Sequence, residues 1–159
     1  MAKYNLAEFG RAYISMHIKP INDTTMRPIS FKVDTGADKT TISRYHLFLL
    51  GYDAEWLKQN VVMYEDKEKP TTASGEKISA GYVQLPLINI LGYEGKNWSF
   101  QVILDEKHDF RNLLGRDLLT GFNYSFDNDA DVFSIIRTKS FKPRYEFLPN
   151  QEIHELHVQ

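Results

Sequence analysis

The sequence predicts an all-β protein, a closed barrel or a sandwich of short strands, with one or two short helices. Apolar and polar residues alternate in several short segments, turn-forming residues separate these segments, and helical spacing is confined to two short stretches. The 159 residues contain no domain-splitting linker, so we expect one domain. Its core should cover about residues 11–138, and residues 139–159 should form a C-terminal extension.

The strands are predicted from a period of two, which places every second side chain on the same face of a sheet. The first alternating segment has Ile14, Met16 and Ile18 on one face. Turn-forming residues then fill positions 21–28 and predict a hairpin connection. The alternating segments are, in chain order, residues 11–18, 29–33, 81–90, 97–104 and 131–138.

Two short helices interrupt the strands. In the first, Ser43 can cap the N-terminus, Leu47 and Leu50 repeat at helical spacing, and Gly51 can end the helix. The second lies within residues 110–122, after a Gly-Arg-Asp sequence. Between the helices, Gly75 with strand-like flanks predicts the tip of a hairpin.

Composition excludes several classes of protein. The net charge of −2 argues against nucleic-acid binding, which usually needs a basic excess. The absence of cysteine excludes disulfides and zinc–thiolate sites. No apolar run is long enough for a membrane span or a signal peptide, so we expect a cytoplasmic protein without a membrane partner. His154 and His157 indicate a solvated C-terminal helix, since a metal site needs more ligands.

The chemistry is expected at Asp34, directly after the apolar strand that ends with Val33. Thr35 adds a hydroxyl, and Gly36 allows other backbone to approach closely. A single carboxylate at this position contributes little to catalysis. Two carboxylates a few ångströms apart share one proton, so one can activate water while the other protonates a carbonyl oxygen. Such a pair hydrolyses an amide without a metal or a cofactor.

The segment Val-Asp-Thr-Gly-Ala-Asp at residues 33–38 resembles the active-site signature of retroviral-type aspartic proteases, the retropepsin family. The segment Leu-Leu-Gly-Arg-Asp at residues 113–117 resembles the family's second conserved segment. Ala73, Ser74 and Gly75 stand where the family has its flap. The resemblance covers about residues 12–137 and implies a retropepsin-like acid protease barrel.

This resemblance implies an aspartic endopeptidase that acts on polypeptides and uses no cofactor or metal. Pepsin-like enzymes carry Asp-Thr-Gly twice, whereas this chain carries it once. Each chain would therefore provide half a site, and a homodimer would bring the two copies of Asp34 together. The resemblance assigns support of the active-site loop to Thr35, Gly36 and Ala37. It also implies a structural ion pair between Asp38 and Arg116, and a flap at residues 73–75 that closes over the substrate.

Two alternatives remain open from the sequence. The chain could be a catalytically silent module of the same fold that binds peptides or dimerises, or an unrelated β domain in which Asp34 is a turn residue. The intact Asp-Thr-Gly favours the enzyme. The chain is also longer than the short viral enzymes around residues 51–72 and at both termini, so the contribution of the termini to a dimer is open.

Overall fold

The structure, a computed structural model, describes residues 1–107 and 111–140 together with the backbone of residues 157–158. It consists mostly of strands with a few short helices, which confirms the all-β prediction. The strands are β1 (Ala2–Asn5), β2 (Tyr13–Ile18), β3 (Arg27–Val33), β4 (Val62–Met63), β5 (Ala80–Ile90), β6 (Tyr93–Ile103), β7 (Leu113–Leu114), β8 (Phe122–Asp127), β9 (Val132–Arg137) and β10 (His157–Val158). The helices are α1 (Arg44–Leu49), α2 (Ala54–Asn60) and α3 (Arg116–Leu119).

The strands form two sheets. A three-stranded sheet has the order β1-β9-β8, and a seven-stranded sheet has the order β10-β6-β5-β2-β3-β7 with β4 beside β5. Thr41 donates its N–H to the carbonyl of Leu113 in β7, and the next residue, Ile42, donates to Gln101 in β6. The hydrogen-bonded path through the large sheet therefore returns from β7 to β6.

The main apolar core contains side chains from both sheets. Side chains at alternate positions of β2, such as Ile14 and Met16, are buried, whereas Ser15 and His17 are exposed. Phe133 and Ile135 contribute to the same core from the three-stranded sheet. The period of two seen in the sequence is thus the burial pattern of the sheets.

Local residues set the limits of the helices. The Ser43 hydroxyl accepts from the N–H of His46 and caps α1, and Gly51 follows it with φ +88°. Asp53 caps α2 by accepting from Trp56 at 2.9 Å. Within α2 only Leu57 is buried, so the apolar periodicity that would predict this helix is absent.

Both ends of the described chain contribute a strand to a sheet. β1 pairs with β9 of the same chain and extends the folded region N-terminal to the predicted core. The predicted helix around His154 lies outside the described residues, and His157–Val158 form β10 beside β6. Within the described ranges, no helix is long and apolar enough to cross a membrane.

Candidate active site

The Asp34 loop, residues 34–39, begins where β3 ends beside β7. The two strands are parallel, with Val33 opposite Leu114, so the chain leaves both at the same end of the sheet. The N–H of Asp34 donates to the carbonyl of Leu114 at 3.0 Å. This pairing brings together the two segments that the sequence singled out.

The Asp34 carboxylate is held by its own loop. The N–H of Gly36 donates to Asp34 Oδ1 at 3.0 Å, and the N–H of Ala37 donates to the Asp34 carbonyl at 3.2 Å. A Cβ at position 36 would lie 3.4 Å from the same Oδ1, so glycine leaves the space beside the carboxylate open. Asp34 is partly buried, while Thr35 and Gly36 are exposed on the single chain.

Asp117 fastens the end of the Asp34 loop to α3. Its side chain is buried, with 1% of its surface exposed. It accepts from the Thr40 hydroxyl at 2.5 Å, from the Thr40 N–H at 3.0 Å and from the Leu118 N–H at 2.8 Å. The Thr40 hydroxyl in turn accepts from the N–H of Gly115 at 3.1 Å. A buried carboxylate with several donors restrains every backbone group that it binds.

Burial raises the pKa of the Asp117 carboxyl to about 6, against the lowering effect of the hydrogen bonds from Thr40 and Leu118 and of the charge on Lys39. Desolvation disfavours the charged form, and here it outweighs the donors. The group therefore changes charge between mildly acidic and neutral pH.

Gly115 is required by the close approach of the Asp34 loop. A Cβ at this position would lie 2.5 Å from the carbonyl carbon of Lys39 and 2.8 Å from the N–H nitrogen of Thr40. Both neighbours are backbone atoms, so no side-chain rotation can relieve the overlap. The glycine of the second motif thus allows the motif to pack directly on the Asp34 loop.

Asp38 and Arg116 lie at the outer side of this contact. The Arg116 Nη1 is 3.6 Å from Asp38 Oδ1, with both side chains more than half exposed. The backbone contacts are shorter: Arg116 N–H donates to the Ala37 carbonyl at 2.8 Å, and Asp117 N–H donates to the Asp38 carbonyl at 3.1 Å. An exposed ion pair contributes little, so the backbone bonds and Asp117 are the stronger restraint.

The predicted flap residues lie at the exposed tip of a hairpin. Thr71 pairs with Lys77 across it, and the N–H of Thr72 donates to the carbonyl of Glu76 at 2.8 Å. Gly75 has φ +89°, which favours glycine at such a turn. The residues of the tip are Ala73, Ser74 and Gly75, all exposed.

A cavity of about 450 Å³ separates the base of this hairpin from the Asp34 loop. Gly36, Ala37 and Lys39 line one side, while Glu68 and Thr71 line the other. Neither Asp34 nor the three tip residues belong to its lining. In the single chain, this cavity therefore lies between the Asp34 loop and the base of the predicted flap, and its lining reaches neither Asp34 nor the tip.

Lys39 and Tyr64 support the wall of this cavity, and the sequence pattern did not single them out. Lys39 Nζ lies 4.1 Å from the centre of the Tyr64 ring, a cation–π contact. Burial lowers the pKa of Lys39, opposed by the charges of Glu68, Asp38 and Asp117. Burial also raises the pKa of the Tyr64 hydroxyl. Tyr64 packs with Ile78, Ala80, Tyr82 and Ile103 in a small apolar cluster beneath the hairpin.

Thr40 and Asp117 are the site residues whose roles sequence reasoning missed. Asp117 belongs to a recognised segment, but the sequence analysis assigns it no role of its own. An acidic residue in the first turn of a helix is common and does not reveal a partner 77 residues away. In the ranges that the structure describes, no three histidine, aspartate or glutamate side chains cluster as metal ligands.

The fold is similar to that in the crystal structure of a retropepsin-like aspartic protease from Rickettsia conorii. The two structures align with a TM-score of 0.59 and 26% sequence identity, over 83% of this chain and 86% of that chain. No protein-family model matches the chain, and no curated protein matches it significantly. The comparison supports a retropepsin-like fold for this chain.

Proposed function

We propose that this protein is an aspartic endopeptidase that acts as a homodimer, with one Asp34 from each subunit in a shared site. The observation that carries the proposal is the Asp34 loop. Its carboxylate is oriented by the N–H of Gly36, it stands beside the second motif, and its neighbours Thr35 and Gly36 are exposed. The similarity to a retropepsin-like aspartic protease supports the same assignment.

The chemistry follows from two carboxylates that share one proton. The ionised Asp34 takes a proton from water, whose oxygen attacks the peptide carbonyl carbon. The protonated Asp34 of the partner subunit gives its proton to the carbonyl oxygen. When the tetrahedral intermediate collapses, the C–N bond breaks, and the leaving nitrogen takes a proton from the carboxyl group that was protonated by water. One of the two hydroxyl groups on the former carbonyl carbon returns its proton to Asp34 of the partner subunit, which restores the shared proton.

The surrounding residues would support this chemistry by position. Gly36 and Ala37 hold the Asp34 turn and also line the cavity, which would receive part of an extended polypeptide. The hairpin that ends in Ala73, Ser74 and Gly75 would close over that polypeptide and exclude water. Thr35 would contact its counterpart across the two-fold axis. Asp117, Gly115 and the Asp38–Arg116 pair would keep the loop in place.

The direct test compares the wild type with Asp34→Asn on a diverse peptide library, from acidic to neutral pH, with cleavage read by mass spectrometry. Asp23→Asn is the matched control, because Asp23 is an exposed residue that also accepts from a backbone N–H two positions later. We expect cleavage by the wild type and by Asp23→Asn, and none by Asp34→Asn. If the wild type is dimeric but cleaves no peptide, the enzyme hypothesis is refuted. The alternative, a catalytically silent module that binds peptides or dimerises, is then favoured.

A further inference from the structure

Asp34 and Lys32 lie on the same face of the seven-stranded sheet, the face turned away from the core. Successive side chains of a strand point to opposite faces. Phe31 and Val33 are buried in the core, whereas Lys32 and Asp34 are half-buried. The Cα atoms of two residues at alternate strand positions are about 6.6 Å apart. The side chain of Lys32 therefore emerges beside the proposed catalytic carboxylate.

A second basic residue reaches this face from the segment that leads into β7. Leu113 lies opposite Lys32 in the parallel pair of β3 and β7. Asn112 is buried between the half-buried Leu113 and the exposed Arg111, so Arg111 and Leu113 share the outer face. Asn112 fixes this segment, because its carbonyl accepts from the Lys32 N–H at 3.0 Å and its side chain donates to the Ser30 carbonyl at 3.2 Å.

A third basic residue comes from the other side of β3, at the start of β2. The N–H of Val33 donates to the carbonyl of Ala12 at 2.8 Å, which continues the register of the two strands beyond their paired residues. One step further, this register places Arg11 opposite Asp34, and opposite residues share a face. Arg11 is half-buried, with its guanidinium 5.5 Å from the centre of the Phe9 ring.

The basic cluster around Asp34 consists of Arg11, Lys32 and Arg111. In the part of the chain that the structure describes, the ion pairs are made by other residues, so no carboxylate of this part neutralises the cluster. Asp38, the nearest acidic residue of the loop, faces Arg116. Because the whole chain has a net charge of −2, three basic residues around one carboxylate are a local feature of the site.

Lys32 is not a residue that protects a sheet edge. Lysine often blocks edge strands, but β3 is paired with β2 on one side and with β7 on the other. Lys32 is half-buried there, with Tyr13 opposite it on β2 and Leu113 opposite it on β7. Partial burial of a charge costs free energy unless a partner is present, and a carboxylate of a ligand would offset that cost.

We propose that the basic cluster selects polypeptides with an acidic side chain next to the scissile bond, and that Lys32 makes the main contact. The inference rests on the proposed function, because Asp34 marks where that bond would lie. An extended polypeptide advances about 3.3 Å per residue. Lys32, about 6.6 Å from Asp34 along the strand, therefore stands within two residues of the bond, on one side of it in each subunit.

The first experiment examines the residues around each cleavage site of the wild type in the peptide library. We expect glutamate or aspartate within the two residues on either side of the bond. One cleaved peptide is then made with glutamate or with glutamine at that position, two side chains that differ in charge and hardly in shape. The wild type should have at least about a fivefold higher kcat/KM for the glutamate form, as an ion pair of modest strength gives. This ratio should fall as salt is added.

Two variants assign the preference to Lys32. Lys32→Met keeps the length of the side chain, removes its charge and should lower the glutamate-to-glutamine ratio to below about 2, the remainder being the effect of the other two cations. Lys32→Glu should reverse the preference, so that a lysine form of the same peptide is cleaved faster than the glutamate form. Lys96→Met is the matched control, because Lys96 is an exposed lysine on β6 of the same sheet and should keep the wild-type ratio.

Binding without cleavage separates this inference from the proposed function. Asp34→Asn, with and without Lys32→Met, is incubated with an array of immobilised peptides. A preference for acidic peptides that disappears with Lys32→Met supports the basic cluster, even if the wild type cleaves nothing and the proposed function is thereby refuted. The inference is overturned if neither cleavage nor binding favours acidic peptides, or if Lys32→Met leaves the preference unchanged.

Discussion

Asp117 should make the stability of this protein depend on pH in the direction opposite to that of most aspartates. The perturbation is Asp117→Asn, which removes the titrating group and keeps its shape and one carbonyl oxygen. In the wild type the carboxyl is buried, and burial raises its pKa to about 6. The unfolded chain returns the group to its ordinary pKa of about 3.9.

The magnitude follows from this difference of about 2 pKa units, at about 1.4 kcal/mol for each unit. Because the pKa is higher in the folded state, the folded chain binds the proton more tightly, and Asp117 stabilises the fold fully below about pH 4. This contribution is lost as the pH rises through about 6. From pH 4 to 7, Asp117 alone should lower the free energy of unfolding by about 3 kcal/mol.

The assay is urea-induced unfolding of the wild type and of Asp117→Asn at several pH values and at one protein concentration, followed by tryptophan fluorescence. Titration of all other groups is common to both proteins, so the difference between their unfolding free energies isolates Asp117. We expect the wild type to lose about 3 kcal/mol relative to the variant between about pH 4 and 7. A difference that stays constant with pH, or that changes in the opposite direction, would refute the assignment of a raised pKa to this residue.

Two further substitutions test the contact between the two motifs. Gly115→Ala should destabilise the fold by at least about 2 kcal/mol in thermal or urea unfolding, because its Cβ would overlap the Lys39 backbone. Gly75→Ala is the control, because a Cβ at this open hairpin tip would meet no other atom. It should lower the free energy of unfolding by only about 1 kcal/mol, the cost of a left-handed backbone for alanine. Equal losses for the two substitutions would contradict the steric explanation. Arg116→Ala should change the free energy of unfolding by less than about 1 kcal/mol, since its pair with Asp38 is more than half exposed. A loss as large as that of Gly115→Ala would show that the ion pair is a main restraint of the loop.

Elements that have a local cause can be predicted from the sequence. The period of two predicted β2, β3, β5, β6 and β9, because a strand buries every second side chain wherever it lies in the sheet. Ser43 and Gly51 predicted the limits of α1, because capping and a positive φ involve neighbouring residues only. The two motif segments were recognisable for the same reason, since each is a short contiguous stretch.

How these elements meet depends on residues that are far apart in the chain. The parallel pairing of β3 with β7 places Asp34 beside Leu114, 80 residues further along the chain by their numbers. Asp117 carries the same local signal as any solvated aspartate in a first helical turn, and its burial against Thr40 raises its pKa and makes it a restraint of the loop. Burial, desolvation and strand neighbours are set by residues distant in the chain, and no local pattern encodes them.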